Sequence, residues 1–143
     1  MTIDDLNQRI SARFRAQGLM TMLGAELVHV AEGEVQIALS PRPELCQQDG
    51  HIHAGALTGV LDSACAYAAL TVATPGIEVL TLEFKVSLLR PADPADRYVA
   101  VGKVTKATGK LTMCRGELIA EQGSQREPIS VMQATIINVP GNP

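Results

Sequence analysis

The sequence predicts an α+β protein in which an antiparallel sheet wraps around one long central helix. Three observations predict it. From His53 to Ala73 almost every residue is apolar or small, and a helix that is hydrophobic all round must be enclosed on all sides. After that helix the hydrophobic pattern changes to period two, which marks strands with one face buried. No linker, repeat or low-complexity stretch divides the 143 residues, a length that fits one domain burying about two-thirds of its unfolded surface.

The elements follow in order. Thr2 with Asp5 three residues later has the form of a helix start, and Ile3, Leu6, Ile10 and Phe14 recur at helical spacing, so a helix is expected over about 3–17. Two short strands follow, around 25–31 and 34–40, joined across Glu32 and Gly33. Pro41 and Pro43 stop the second strand and open an irregular loop to about Ile52. The central helix is expected over about 53–73, with Pro75 and Gly76 as its stop. Leu80, Leu82, Phe84, Val86 and Leu88 then alternate with Thr81, Glu83, Lys85 and Ser87, which predicts a strand with its leucine row packed in the core and Thr81 on the polar face. Three more strands are expected around 98–106, 111–120 and 129–139, the first two joined at Gly109. One small sheet cannot cover a helix that is apolar on nearly every side, so at least a dimer is predicted.

Composition narrows the function. With no Trp, two Phe and two Tyr, the chain lacks the rings of a base-stacking platform, and a net charge of −3 disfavours a polyanion, so no nucleic-acid partner is expected. The three cysteines show no C-x-x-C, and His51 and His53 have no second cluster beside them, so no metal site is expected and free thiols in a reducing cytoplasm are. The N-terminus lacks the apolar core of a signal peptide. The helix at 53–73 is long enough to tempt a membrane assignment, but Asp62 near its centre would cost roughly 2.5–3.5 kcal/mol on insertion, so a buried core helix is expected and no membrane. Between Asp49 and Glu78 that Asp62 is the one charged side chain. Desolvation disfavours a lone carboxylate in an apolar helix, so Asp62 points to a site.

The segment Gln47-Gln48-Asp49-Gly50-His51-Ile52-His53-Ala54-Gly55, with Asp62 nine positions after His53, resembles the hotdog-fold acyl-CoA thioesterases, nearest the PaaI-like and 4-hydroxybenzoyl-CoA branch. The stretch LTLEFKVSLLRPA at 80–92 is similar to the long strand that this family places after its helix, and the element order agrees over roughly the whole chain. The family often has His-Gly-Gly at the helix start, where this chain has His53-Ala54-Gly55. The resemblance implies a single hotdog domain over 1–143, hydrolysis of an acyl-CoA to the free acid and coenzyme A, and no cofactor beyond the coenzyme A of the substrate. It also implies a homodimer or homotetramer with the active site at the dimer interface.

Thioester hydrolysis needs a polarised carbonyl, an activated water or nucleophile, and room for a thiolate. The first N–H groups of a helix have no intrahelical partner and carry the positive end of its dipole, so Ala54 and Gly55 suit an oxyanion, with Ala54 the key donor by resemblance. Asp62 is the expected general base or nucleophile. Eight residues separate it from Ala54, about 12 Å along the axis, too far for one thioester carbon to meet both within one chain. The donor and the carboxylate are therefore expected from different subunits. The resemblance puts the thioester- or water-orienting amide at Gln47, or at Gln48 if the loop differs by one, and a hydroxyl beside the carboxylate at Thr81. His53 either contacts the thioester or holds the helix start. Arg90, Lys106 and Lys110 are candidates for the coenzyme A phosphates. Cys65 reads as a small hydrophobe, and Ser63 has no His at triad spacing. Two other readings stay open: a non-catalytic acyl-CoA binding or sensing module and, with less support, a hotdog dehydratase, whose motifs are not found here.

Overall fold

The computed structural model describes residues 1–141, so the last two residues of the span 1–143 lie outside the described residues. Helix α1 (Ile3–Ala16) opens with a reciprocal cap: the Thr2 hydroxyl oxygen accepts the Asp5 N–H at 3.1 Å while the Asp5 carboxylate accepts the Thr2 N–H at 3.1 Å. Its Leu6 and Ile10 are buried. From the same helix Arg9 reaches the end of the central helix and donates to the carbonyls of Leu70 and Ala73, each at 3.3 Å, and of Ile77 at 3.0 Å. Leu70 and Ala73 stand at the C-terminal end of α3 and Ile77 opens the strand that follows, so one guanidinium fastens α1 to the far end of the core helix and to the chain leaving it.

A second helix, α2 (Gly18–Leu23), follows at once and ends at Gly24, whose φ of 70° gives the left-handed cap. The sequence did not announce it. Six residues are too few to show a helical period, and α2 is held by packing, with Leu19 and Leu23 lying over Gly59 of the central helix.

The six strands are β1 (Glu26–Ala31), β2 (Glu34–Leu39), β3 (Ile77–Leu88), β4 (Arg97–Thr108), β5 (Leu111–Gln122) and β6 (Gln125–Pro140). They form one sheet in the order β1-β2-β4-β5-β6-β3, antiparallel throughout. The central helix α3 (Ala54–Val72) runs between β2 and β3 in sequence and lies across one face of the sheet. This is the hotdog arrangement. Among the described residues α3 is the one helix long and apolar enough to cross a membrane, and here most of it is buried as the core.

Small residues let α3 come this close. Gly102 of β4 pairs directly with Gly116 of β5, opening a trough in the sheet. A Cβ on Gly102 would lie 2.3 Å from the Ala64 carbonyl oxygen, and one on Gly116 would lie 3.1 Å from Cys65 Sγ. The helix backbone thus rests on the sheet backbone at Ala64 and Cys65, with Leu61, Ala68 and Ala69 packed on either side.

Strand β3 departs from the expected core packing. Leu80, Leu82, Phe84 and Leu88 are all exposed, and Val86 is half-buried. The strand is an edge of the sheet; its own chain's helix meets it at Thr81 and leaves these apolar side chains uncovered. A bulge also splits the leucine row. Thr81 pairs with Ile136 and Phe84 with Ala134, both buried, while Leu82 is the extra residue between Thr81 and Glu83. Leu80 therefore points to the outer face, and Thr81, predicted on the polar face, points to the helix side along with Phe84, Val86 and Leu88.

The trough makes a sharp prediction. Gly102→Ala must move α3 off the sheet and should cost about 3 kcal/mol or more, read as a lowered urea midpoint, whereas Gly109→Ala, with nothing within 4 Å of the added methyl, should change stability by less than about 0.5 kcal/mol.

Candidate active site

The loop before α3 is tied back on itself: the Gln47 N–H donates to the His51 carbonyl at 2.8 Å and the His53 N–H to the Leu45 carbonyl at 2.8 Å. This delivers His53 as the residue before the helix, where its Nδ1 accepts the Gly55 N–H at 2.8 Å. An imidazole nitrogen that accepts must carry no proton, so the ring's one remaining proton sits on Nε2. The choice of residues follows. A Cβ on Gly55 would lie 3.0 Å from that Nδ1, so glycine leaves room for the imidazole cap. Neither Ala54 nor Gly55 takes a positive φ, and alanine stands in the first helical position without strain.

The cap divides the helix-start donors. Gly55 has its N–H committed to His53, and the N–H groups of Ala56 and Leu57 go to the His53 carbonyl at 3.0 and 3.4 Å. Among the described residues nothing accepts the Ala54 N–H. A pocket of about 310 Å³ opens at this helix start, lined by Leu19, Leu23 and Leu45 with His53, Gly55 and Ala56.

Two turns further along α3, Asp62 sits half-buried and its Oδ1 accepts the Thr81 hydroxyl at 2.7 Å. The bulge at Leu82 is what turns Thr81 to that side. A groove of about 430 Å³ opens from Asp62 between α1, α3 and β3. Within it the Ser63 hydroxyl donates to Gln17 Oε1 at 3.1 Å, and Gln17 Nε2 donates to the Tyr67 oxygen at 2.6 Å. Neither Gln17 nor Tyr67 carries a motif, and only the fold brings them to the carboxylate.

The other candidates stand apart. Gln47 is exposed, with its amide turned to the Asp49 carboxylate at 3.0 Å, and Gln48 is exposed beside it. Arg90 is engaged by Asp96 at 3.3 Å and Glu127 at 3.2 Å. Lys106 and Lys110 are exposed at the β4–β5 turn, where no ion pair among the described residues takes them. Burial pushes the Cys65 thiol far above its ordinary value and the Cys114 thiol up to about 12, so both remain protonated and inert as nucleophiles at neutral pH. Among the described residues no three His, Cys, Asp or Glu side chains converge in a way that could hold a metal ion. A larger cleft, about 630 Å³, lies on the outer face of the sheet among Lys103, Arg115 and Glu117, away from the carboxylate.

Comparison with known proteins meets this geometry. The model of the thioesterase superfamily matches residues 49–127, which include the helix start, Asp62 and Thr81. A thioesterase family protein from Silicibacter pomeroyi is 34% identical, over 95% of this chain and 99% of its own, with a TM-score of 0.90. The fold is shared with the PaaI protein of the Escherichia coli phenylacetic acid degradation operon at 18% identity and a TM-score of 0.86, over 96% of this chain and 95% of that one. It is shared too with a thioesterase from Haemophilus influenzae at 16% identity and a TM-score of 0.81, over 98% and 92%. No curated protein matches the sequence.

The cap has a measurable consequence. His53→Ala leaves the Gly55 N–H without its acceptor and should lower stability by about 1 kcal/mol in urea unfolding. His53→Asn, whose side-chain oxygen can accept the same N–H, should restore most of that loss.

Proposed function

The chain belongs to the thioesterase superfamily, and we propose on that premise that it is an acyl-CoA thioesterase releasing a small or medium acyl or aryl acid from coenzyme A. The observation that carries this reading is the Asp62–Thr81 contact at 2.7 Å, a carboxylate held by a hydroxyl at the head of an open groove. One Asp62 oxygen is oriented by Thr81, which leaves the other to act. Either a water gives its proton to Asp62 while its oxygen attacks the thioester carbon, or Asp62 itself attacks and water then cleaves the anhydride. On both routes the carbon–sulfur bond breaks with its electron pair on sulfur, and the products are the acid and the coenzyme A thiol. Ala54 supports the reading from the other end of the helix, because its unpaired N–H can receive the carbonyl oxygen as negative charge develops.

These two groups lie about 12 Å apart along one helix, and a single thioester cannot touch both. The reading therefore makes the enzyme a homodimer or a larger homo-oligomer, each site taking Ala54 from one copy and Asp62 from the other. The uncovered edge at β3 supports this, because Leu80 and Leu82 are 59% and 57% exposed on a strand with a free hydrogen-bonding side. Gln47 or Gln48 would orient the thioester once the second copy closes the site. Lys106 and Lys110 suit the coenzyme A phosphates better than Arg90, whose charge Asp96 and Glu127 already offset. The chemistry calls on no cofactor, and the three free thiols suit the cytoplasm.

Two outcomes are expected. Thiol release from a panel of acyl-CoAs should fall at least about a hundredfold in Asp62→Asn with the oligomer intact by size exclusion, whereas tight binding without turnover by the unmodified protein would make it a binding module instead. Phe84→Glu puts a charge on the helix side of the β3 edge, and it should convert the oligomer to single chains in sedimentation and abolish turnover together with assembly.

A further inference from the structure

The groove that opens from Asp62 holds polar groups that hydrolysis does not use. Ala66, Leu70 and Val79 give it apolar walls, with the Arg13–Glu78 ion pair at its rim. Along α3 it carries the chain of Ser63, Gln17 and Tyr67, which starts beside the carboxylate. Counting partners there leaves a remainder. The Gln17 oxygen is taken by Ser63, and one Gln17 N–H goes to the Tyr67 oxygen. Ser63, Gln17 and Tyr67 carry four donor hydrogens between them, and among the described residues their two contacts use two, although Ser63 and Tyr67 are each only 7% exposed. A buried donor without an acceptor costs about 1–3 kcal/mol, and an apolar side chain of the same size would avoid that cost.

Position supplies the rest. Tyr67 lies five residues beyond Asp62 on the same rigid helix, about 7.5 Å along its axis, and both line one groove. An acyl group whose carbonyl carbon meets Asp62 and whose chain runs along Ala66 brings an atom several bonds away to the Tyr67 hydroxyl. Resting on the thioesterase reading above, we infer that this groove receives the acyl group and that Tyr67, held by Gln17, selects acyl groups bearing a hydroxyl or carbonyl oxygen several bonds from the thioester over plain hydrocarbon chains. Burial also holds the Tyr67 phenol above its ordinary range, so it remains a proton donor through neutral and mildly alkaline pH.

The test compares two acyl-CoAs of equal chain length, one carrying an ω-hydroxyl and one unsubstituted, in the full-length protein and in Tyr67→Phe. The readout is the ratio of their kcat/KM values rather than either rate alone. The unmodified protein is expected to prefer the hydroxylated substrate by about tenfold, the value of one buried hydrogen bond, and Tyr67→Phe to bring the ratio near one. Gln17→Leu, which removes the group that orients the phenol, should reduce the ratio partway and serves as the second variant. No preference in the unmodified protein, or a ratio unchanged in Tyr67→Phe, overturns the inference while leaving the thioesterase reading standing. Should the unmodified protein hydrolyse no acyl-CoA, the thioesterase reading fails. The Kd ratio for the same pair as non-hydrolysable thioethers, measured by calorimetry, then decides the role of Tyr67 by the same criterion.

Discussion

The close seating of α3 on the sheet is the constraint from which the other features follow. Gly102 and Gly116 face each other across β4 and β5; the helix backbone at Ala64 and Cys65 occupies the space a Gly102 side chain would fill, and the Cys65 and Leu61 side chains crowd Gly116. Contact this tight fixes the helix in rotation as well as in height. Once Ala64 and Cys65 face the trough, Asp62 and Ala66 must face the open side toward β3 and α1. The carboxylate is thus held outside the core by the same contact that buries its neighbours. Arg9 adds a second fastening at the other end, where it takes the terminal carbonyls of the helix.

A rigid helix carrying both halves of the proposed site at different heights has a geometric consequence. The Ala54 N–H and the Asp62 carboxylate cannot converge within the chain, yet each has local contacts that suit the proposed role: His53 satisfies the neighbouring Gly55 donor, and Thr81 orients one carboxylate oxygen. The bulge at Leu82 connects this preparation to the edge of the sheet, because one extra residue turns Thr81 inward and leaves leucines facing out. An edge strand with apolar side chains and unpaired backbone groups favours pairing with another strand. Site construction and the proposed assembly therefore depend on one local irregularity.

The charged groups divide in a similar way. Arg90 works within the fold, bracing the loop before β4 through the buried Asp96 and through Glu127, and Tyr98 adds its hydroxyl to the Asp93 carbonyl at 2.6 Å in the same loop. Lys106, near the end of β4, and Lys110, in the turn after it, are exposed and take no ion pair among the described residues. Gln17, which bridges Ser63 and Tyr67 in the groove, comes from the corner between α1 and α2, so the helices that precede the sheet complete the surroundings of Asp62.

Much of this was legible in the chain itself. The apolar run from His53 to Ala73, the lone Asp62 and the period-two stretches after it determine a sheet around a helix and single out the carboxylate, because periodicity and the cost of burying charge are local properties of a sequence. The helix α2 was not legible, since six residues carry no period, and neither was the fate of the β3 leucines, since alternation reports a strand but not whether anything covers it. The bulge reversed the expected side of Thr81, and no spacing rule announces one extra residue in a ladder. Gln17 and Tyr67 are fifty residues apart and meet only because α1 packs across α3. The sequence by itself determined the long helices and the strands and that Asp62 is exceptional. The tertiary structure alone decided which side chains surround it, because register, helix rotation and coverage of an edge are set by contacts between segments that share no local pattern.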